Sequence, residues 1–152
     1  MYCPFCGSDQ ITVANSRPNS LGTQVWRRRK CLKCQNIFTT YEKIKLSYIV
    51  VVKKTGEKER YNQSKILTAI YKSFLNTKYS TRGEMAKHAE EITQIIENKI
   101  LKKKVKQITS EKIQEIIYQV LRKKSPDAFL RYAVYSEGQD RNRLEKLLKD
   151  PL

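Results

Sequence analysis

The pattern of apolar and polar residues predicts β-structure in the first part of the chain. An apolar run that begins at Tyr48 is typical of a buried strand, which we place over residues 48–53. A turn at Lys54-Thr55-Gly56 and a short strand over residues 57–61 complete a predicted hairpin. Gly56 is expected to supply the positive φ that such tight turns require.

Helical periodicity dominates the rest of the chain and predicts four helices. Their starts are indicated by cap residues at Asn62, at Thr81 with Glu84 in a capping box, at Ser110, and at Ser125 before a proline. Apolar residues recur at helical spacing in each segment and form the expected inward faces: Ile66, Leu67, Ile70, Tyr71, Phe74 and Leu75; Met85, Ala89, Ile92 and Ile96; Ile113, Ile116, Ile117, Val120 and Leu121; Phe129, Tyr132 and Ala133.

The segment before the hairpin is predicted to be a small β module. Strands are expected over Ile11–Ala14 and Thr23–Arg28, with a turn-rich loop over Asn15–Gly22 between them. We therefore predict an α+β fold, in which the β module precedes a mainly helical domain built from a β-hairpin and four helices. The expected parts are residues 1–46 with a linker over 42–46, residues 47–137, and a charged tail over 138–152.

All four cysteines fall into two Cys-x-x-Cys pairs, Cys3 with Cys6 and Cys31 with Cys34. This spacing lets both sulfurs of a tight turn reach one ion, so two pairs supply a closed tetrahedral zinc site. Disulfides and redox dithiols are the alternatives. No signal peptide precedes Cys3, and no βαβ pattern surrounds either pair, so structural zinc is the favoured interpretation. A module this short needs its metal to fold.

Charge points to a polyanionic partner. The formal net charge is +16, and a run of cations leads directly into the second cysteine pair. Arginine suits phosphate and guanine because its planar guanidinium donates two parallel hydrogen bonds. We therefore predict a nucleic-acid-binding surface beside the zinc, although a merely solvated edge strand is the alternative; its candidate residues are Arg17, Arg27, Arg28, Arg29, Lys30 and Lys33.

A second candidate site surrounds the predicted hairpin. Two lysines on the hairpin and a third at the following helix start could hold a triphosphate, and Glu59 could accept from a base or a ribose. From the residues alone, a solvated basic hairpin explains this pattern better. The candidate residues are Val51, Lys53, Lys54, Gly56, Glu59 and Lys65.

Several motifs, taken together and in their order along the chain, resemble those of the NrdR family of bacterial repressors. They are Cys-Pro-Phe-Cys at 3–6, Ser16-Arg17, the run 27–31 and Phe-Thr-Thr at 38–40, followed by the lysine hairpin. The chain differs from the family pattern at Asn15, Ile37 and Lys54-Thr55, and the resemblance weakens after Ala133.

The resemblance implies a zinc ribbon followed by an ATP-cone, with Zn²⁺ and regulatory ATP or dATP as ligands. It also implies repression of ribonucleotide reductase genes, with double-stranded operator DNA as partner and homo-oligomers that differ with the bound nucleotide. Lys53, Lys54, Gly56, Glu59 and Lys65 match the nucleotide motif of the cone.

Other classes of function fit the sequence less well. The longest apolar run is far shorter than a membrane span, so we expect a cytoplasmic protein, associated with the nucleoid when bound to DNA, and no membrane partner. No catalytic triad, paired carboxylates or magnesium-holding group is evident, so we do not expect an enzyme. A zinc-dependent adaptor and a weak ATPase, neither with sequence-specific DNA binding, are the alternatives.

Overall fold

The computed structural model describes residues 1–19, 22–75, 81–138 and 140–149. The chain divides into two compact units, Met1–Lys45 and a second that begins at Leu46. Within the described residues, no helix is long and apolar enough to cross a membrane.

The first unit contains a three-stranded antiparallel sheet with β2 at its centre. The strands are β1 (Ile11–Pro18), β2 (Gln24–Cys31) and β3 (Ile37–Lys43). A bulge between Val13 and Asn15 shifts the β1–β2 register by one residue. An added residue of this kind lets β1 continue beyond the irregularity and changes which of its side chains face each side.

The expected loop over Asn15–Gly22 is wrong in its first half. Asn15 pairs with Arg28 and Pro18 with Val25, so the chain from Asn15 to Pro18 remains in the sheet. The preference of these side chains for turns does not decide the structure here, because β2 offers hydrogen-bond partners to the backbone along this whole stretch. Ser20 and Leu21, which also belonged to the expected loop, lie outside the described residues. The third strand was not predicted, and it includes the first two residues of the expected linker.

The second unit begins with a short 3₁₀ helix (Leu46–Tyr48) and contains a small mixed sheet of order β5-β4-β6. Its strands are β4 (Val50–Val52), β5 (Lys58–Arg60) and β6 (Gln107–Thr109). The predicted hairpin is present as the antiparallel β4–β5 pair, with shorter strands than expected. Strand β6 was not predicted, and it pairs with β4 in parallel.

Five helices follow or interrupt this sheet in the described part of the unit. The four predicted helices are present, and a fifth lies in the expected charged tail. They are α1 (Gln63–Ser73), α2 (Arg82–Lys102), α3 (Ser110–Lys124), α4 (Pro126–Glu137) and α5 (Arg141–Lys149).

Three of the four predicted helix starts are confirmed. The Asn62 side chain accepts from the N–H of Ser64, Thr81 and Glu84 form the capping box, and Ser125 precedes Pro126 at the first position of α4. The third start is wrong by one residue, because Thr109 rather than Ser110 caps α3 by accepting from the N–H of Lys112. Thr109 ends β6, so the chain passes directly from strand to helix.

The core of the second unit is formed by the predicted inward faces of α2, α3 and α4. Leu75 departs from the expectation, since it is 41% exposed beyond the end of α1. Helix α5 covers part of this core with Leu144 and Leu147, whereas Leu148 points outward. This contact explains why a segment with few apolar residues is helical. Gln139 and residues 150–152 of the expected tail lie outside the described residues.

Candidate functional site

The four cysteine sulfurs form one cluster in the first unit. The ligand atoms of Cys3, Cys6, Cys31 and Cys34 all lie within 4.8 Å of one another. Two of the separations are 3.6 Å, between the Sγ atoms of Cys3 and Cys34, and 3.7 Å, between those of Cys6 and Cys31. These distances exclude disulfide bonds, in which the sulfurs are about 2.05 Å apart.

The two cysteine pairs are held by turns of the same construction. Gly7 donates its N–H to the carbonyl of Cys3 (2.9 Å), and Gln35 donates equivalently to Cys31 (3.0 Å). Both donors have a left-handed backbone, with φ of 72° and 60°. In each turn the first cysteine also donates its own N–H, to Ser8 and to Asn36 respectively. The repeated geometry aims the sulfurs of both turns at a common point.

This donor set fits zinc. A tetrahedral ion with Zn–S bonds of about 2.3 Å separates its sulfurs by about 3.8 Å, close to these two separations. Amide groups surround the cluster, since Cys34 donates its N–H to Cys31 Sγ and Asn36 Nδ2 donates to Cys34 Sγ, both at 3.5 Å. Hydrogen bonds from the Asn36 backbone and from neighbouring groups lower the pKa of Cys34 to about 6. The pKa of Cys6 is raised to about 12 despite a hydrogen bond from the Ser8 backbone, because desolvation and the neighbouring cysteine sulfurs disfavour a further thiolate.

The arginine run divides between the two faces of β2. Arg27 and Arg29 share one face, and both are held by β3. Arg27 Nη1 lies 2.9 Å from Glu42 Oε1, and Arg29 Nε donates to Thr40 Oγ1 at 2.9 Å. These contacts fix the direction of each guanidinium and leave further N–H groups for a ligand.

Arg28 lies on the opposite face and is exposed. Arg17 lies on the same face, because it pairs with Trp26, two residues before Arg28 on β2. Lys30 also belongs to this face, while Lys33 is exposed in the second cysteine turn. Five of the six predicted cations are therefore brought onto one small sheet, but on two faces with different neighbours.

The lysine hairpin forms an ion-pair network in the second unit. Lys53 Nζ lies 3.0 Å from Glu57 Oε2 and 3.2 Å from Glu59 Oε2. Lys65, in the first turn of α1, donates to both carboxylate oxygens of Glu59. These bonds from Lys65 and Lys53 hold the pKa of Glu59 below its ordinary value. Gly56 has φ of 83°, as the turn was expected to require.

A cavity of about 250 Å³ adjoins this network. Three of the predicted residues line it, namely Val51, Glu59 and Lys65, while Lys53, Lys54 and Gly56 lie outside its lining. Its floor is apolar and its rim is polar. The remaining lining residues are Tyr61, Asn62, Ile66, Ser110, Ile113, Gln114, Ile117 and Tyr132.

Most of these additional lining residues were not identified from the sequence as site residues. The lining residues on α3 and α4 lie beside the hairpin only because of the tertiary fold. From the sequence, the apolar ones among them are indistinguishable from ordinary core residues. Tyr132 carried a partial signal, as an aromatic residue that could pack against a base. Burial raises its pKa, so the phenol stays neutral and able to donate.

Family models match both units. The model for the "Transcriptional repressor NrdR-like, N-terminal domain" matches residues 1–42, and the ATP cone domain model matches residues 49–141. The chain belongs to the NrdR family.

Curated NrdR proteins match along nearly the whole chain. A transcriptional repressor NrdR from Caldanaerobacter subterraneus subsp. tengcongensis is 39% identical over 99% of this chain and 95% of its own length. Another from Caldicellulosiruptor bescii is 38% identical over 100% and 99% of the respective lengths. A third, from Bacillus cereus, is 35% identical over 100% of this chain and 97% of its own length.

Family membership agrees with the chemistry of the two units. A zinc ribbon with a four-cysteine cluster fits Zn²⁺, and an ATP-cone fits an adenine nucleotide as regulatory ligand. The expected NrdR resemblance and the α+β fold class are thus confirmed.

Proposed function

We propose that this protein is a nucleotide-regulated, DNA-binding repressor of ribonucleotide reductase genes. One observation carries the proposal: a single chain joins a four-cysteine cluster beside an arginine-bearing sheet to a cavity bordered by a lysine–glutamate network. The first feature suits a polyanion and the second suits a nucleoside triphosphate. The relatives are named transcriptional repressors, which supports a regulator rather than an enzyme, acting at the nucleoid.

We assign operator binding to the ribbon, over residues 1–46. The metal would be held by Cys3, Cys6, Cys31 and Cys34, and it would set the sheet rigidly enough for guanidinium groups to meet phosphates and base edges. Cations within about one Debye length of the duplex also release counterions on binding. The proposed contact residues are Arg17, Arg27, Arg28, Arg29, Lys30 and Lys33.

We assign nucleotide sensing to the ATP-cone, over residues 47–137, with the charged segment 138–152 after it. The apolar floor of the cavity suits a base, and Lys65 at its rim suits a phosphate. Lys53, Lys54 and the backbone turn at Gly56 would hold the remaining phosphates, with Val51 and Glu59 near the base or ribose.

Glu59 gives the cone a competing internal anion. Lys65 and Lys53 both bind this carboxylate in the present structure. A triphosphate therefore has to replace Glu59 as the partner of at least one lysine, which links occupancy of the cavity to the arrangement of the hairpin and α1. Such a rearrangement is a means by which ligands with unequal affinity for two states shift their balance.

The bound nucleotide would regulate DNA binding by changing the oligomeric state of the protein. We propose that ATP and dATP favour different homo-oligomers, and that only some of these space the ribbons to match two operator boxes. A single ribbon offers few base contacts, whereas tethered ribbons raise each other's effective concentration at the DNA. Coupling of this kind is reciprocal, so operator DNA should also alter nucleotide affinity.

The test is binding to duplex DNA from upstream of a ribonucleotide reductase gene, measured by anisotropy with ATP, with dATP and with neither. Light scattering gives the oligomer mass in each state. We expect sequence-specific binding that changes with the nucleotide, and recovery of the triphosphate intact. Steady phosphate release would instead indicate an ATPase, and equal affinity for unrelated DNA would refute the operator assignment.

A further inference from the structure

One face of the ribbon sheet carries an open groove lined by two aromatic residues. Trp26 on β2 lies directly opposite Tyr41 on β3, and opposite Arg17 on β1. These three residues, together with Pro18, Asn19 and Gln24, line a groove of about 340 Å³. Because directly opposed residues of an antiparallel sheet share a face, the two rings and the guanidinium form one row across all three strands.

The row is open to solvent at both ends: Trp26 in its centre is half-buried, whereas Arg17 and Tyr41 are exposed. The Tyr41 side chain is 66% exposed, although a large aromatic residue on a sheet is normally covered. At the end of the groove, Asn19 Oδ1 accepts from the N–H groups of Thr23 and Gln24, at 2.9 and 3.2 Å. These bonds fix Asn19 against Thr23 and Gln24, so this side of the groove is formed before a ligand binds.

The arginines on this face of the sheet have different neighbours from the arginines on the opposite face. On the opposite face, Glu42 and Thr40 hold Arg27 and Arg29. Here Arg17 and Arg28 flank the aromatic pair, and no ion pair or side-chain hydrogen bond within the described residues engages either guanidinium. The aromatic face therefore combines stacking surface with cations available to an outside anion.

We propose that this groove binds an unpaired nucleobase, so that the ribbon binds single-stranded DNA in addition to any duplex operator. The base stacks on Trp26 and Tyr41, while Arg17 and Arg28 meet the flanking phosphates. Aromatic rings within a cationic groove are the recurrent means of holding single strands, because every base has a stacking face. A volume near the lower limit of about 300 Å³ for ligand pockets suits one base rather than an extended ligand.

The protein carries its own probe for this site. Trp26 is the only tryptophan in the sequence, so its fluorescence reports on the groove alone. The zinc-loaded, full-length protein is titrated with oligothymidylate of about 12 nucleotides, within the usual site sizes. Stacking should quench the indole emission. An oligomer of equal length made of abasic sites keeps the phosphates and should cause little quenching and bind more weakly.

Variants separate stacking from charge. Trp26→Ala and Tyr41→Ala should each weaken binding of a labelled oligothymidylate at least about fivefold, as expected for loss of one stacking partner. Trp26→Phe should retain an intermediate affinity because it keeps a ring. The matched control is Tyr2→Ala, which removes an exposed ring outside the groove and should leave affinity unchanged. Zinc content confirms that each variant is folded.

Three results would overturn the inference. They are equal affinity for abasic and intact strands, unchanged affinity in both alanine variants, and equal quenching by a duplex of the same length, whose paired bases cannot enter the groove. The outcome is independent of operator recognition: failure of the base-stacking site leaves duplex binding intact, and failure of duplex binding leaves single-strand quenching intact.

Discussion

Lys65 Nζ lies 2.8 Å from Oε1 and 2.6 Å from Oε2 of Glu59, so a cation at the start of α1 is bound by a carboxylate of the hairpin. The pair sits at the rim of the cavity in the second unit. A nucleoside triphosphate that uses Lys65 must compete with Glu59, and this competition leads to opposite expectations for the two residues.

Replacing Lys65 with alanine should weaken ATP binding at least about tenfold, or roughly 1.4 kcal/mol. The variant loses a phosphate-binding cation and leaves Glu59 with one lysine fewer, which adds repulsion. Calorimetry with ATP and dATP measures the effect. Lys58→Ala is the matched control, since Lys58 is an exposed lysine of the same hairpin outside the cavity lining. Equal losses in the two variants would point to net charge rather than to a site at Lys65.

The Glu59→Gln substitution separates two roles of this carboxylate. It should strengthen binding of inorganic tripolyphosphate a few-fold, because Lys65 loses its competing anion and Lys53 keeps only Glu57. If Glu59 also accepts from the base or ribose, ATP should gain less than tripolyphosphate does. Parallel titrations of the wild type and the variant with both ligands give the two changes in affinity that are compared. A loss of tripolyphosphate affinity would contradict the competition between Glu59 and phosphate.

Zinc removal should unfold the first unit selectively. The freshly purified protein is expected to hold about one zinc per chain, and chelation or Cys31→Ser should abolish DNA binding because a module of this size cannot fold without its metal. ATP affinity should remain within about twofold, since the cone has its own core. Metal analysis, circular dichroism and calorimetry check these results. Metal-free protein that binds DNA normally would contradict the zinc assignment.

Arginine substitutions on both faces of β2 should test whether the ribbon contacts the duplex. The double change Arg28→Ala with Arg29→Ala should weaken operator binding by at least about 2 kcal/mol and lower the salt slope by roughly one per lost phosphate contact. Anisotropy at several salt concentrations measures both quantities. Thr40→Val serves as a companion variant, because it removes the acceptor that directs Arg29 but keeps the charge. An unchanged affinity together with an unchanged salt slope in the double variant would show that the ribbon does not read the operator.

Two neighbouring substitutions test the start of α3. Thr109→Ala should lower the free energy of unfolding by about 1 kcal/mol, the usual value of an N-cap side chain. Ser110→Ala should have a much smaller effect, because Ser110 is already the first residue of the helix. Both measurements are made without nucleotide, since Ser110 lines the cavity. A larger loss for Ser110→Ala would contradict the cap assignment.

Local sequence signals predicted the features that depend on neighbours along the chain. The helix starts at Asn62 and Thr81 follow from side chains that bond to the backbone within the next few residues, and the start at Ser125 follows from the proline at the first position of α4. The two cysteine pairs were recognisable for the same reason, because each pair forms within a single turn. The inward faces of the helices followed from a period of 3.6 residues.

Only the tertiary structure decided which distant segments meet. Strand β6 has three residues and no distinctive pattern, and it exists because β4 offers it parallel backbone partners. Helix α5 likewise depends on Leu144 and Leu147 finding the core. The cavity at Glu59 requires α3 and α4 to close on the hairpin, and the groove at Trp26 requires three strands in register. Backbone pairing and burial between remote residues leave no periodic signal in the sequence, so the full lining of these sites could be determined only once the chain was folded.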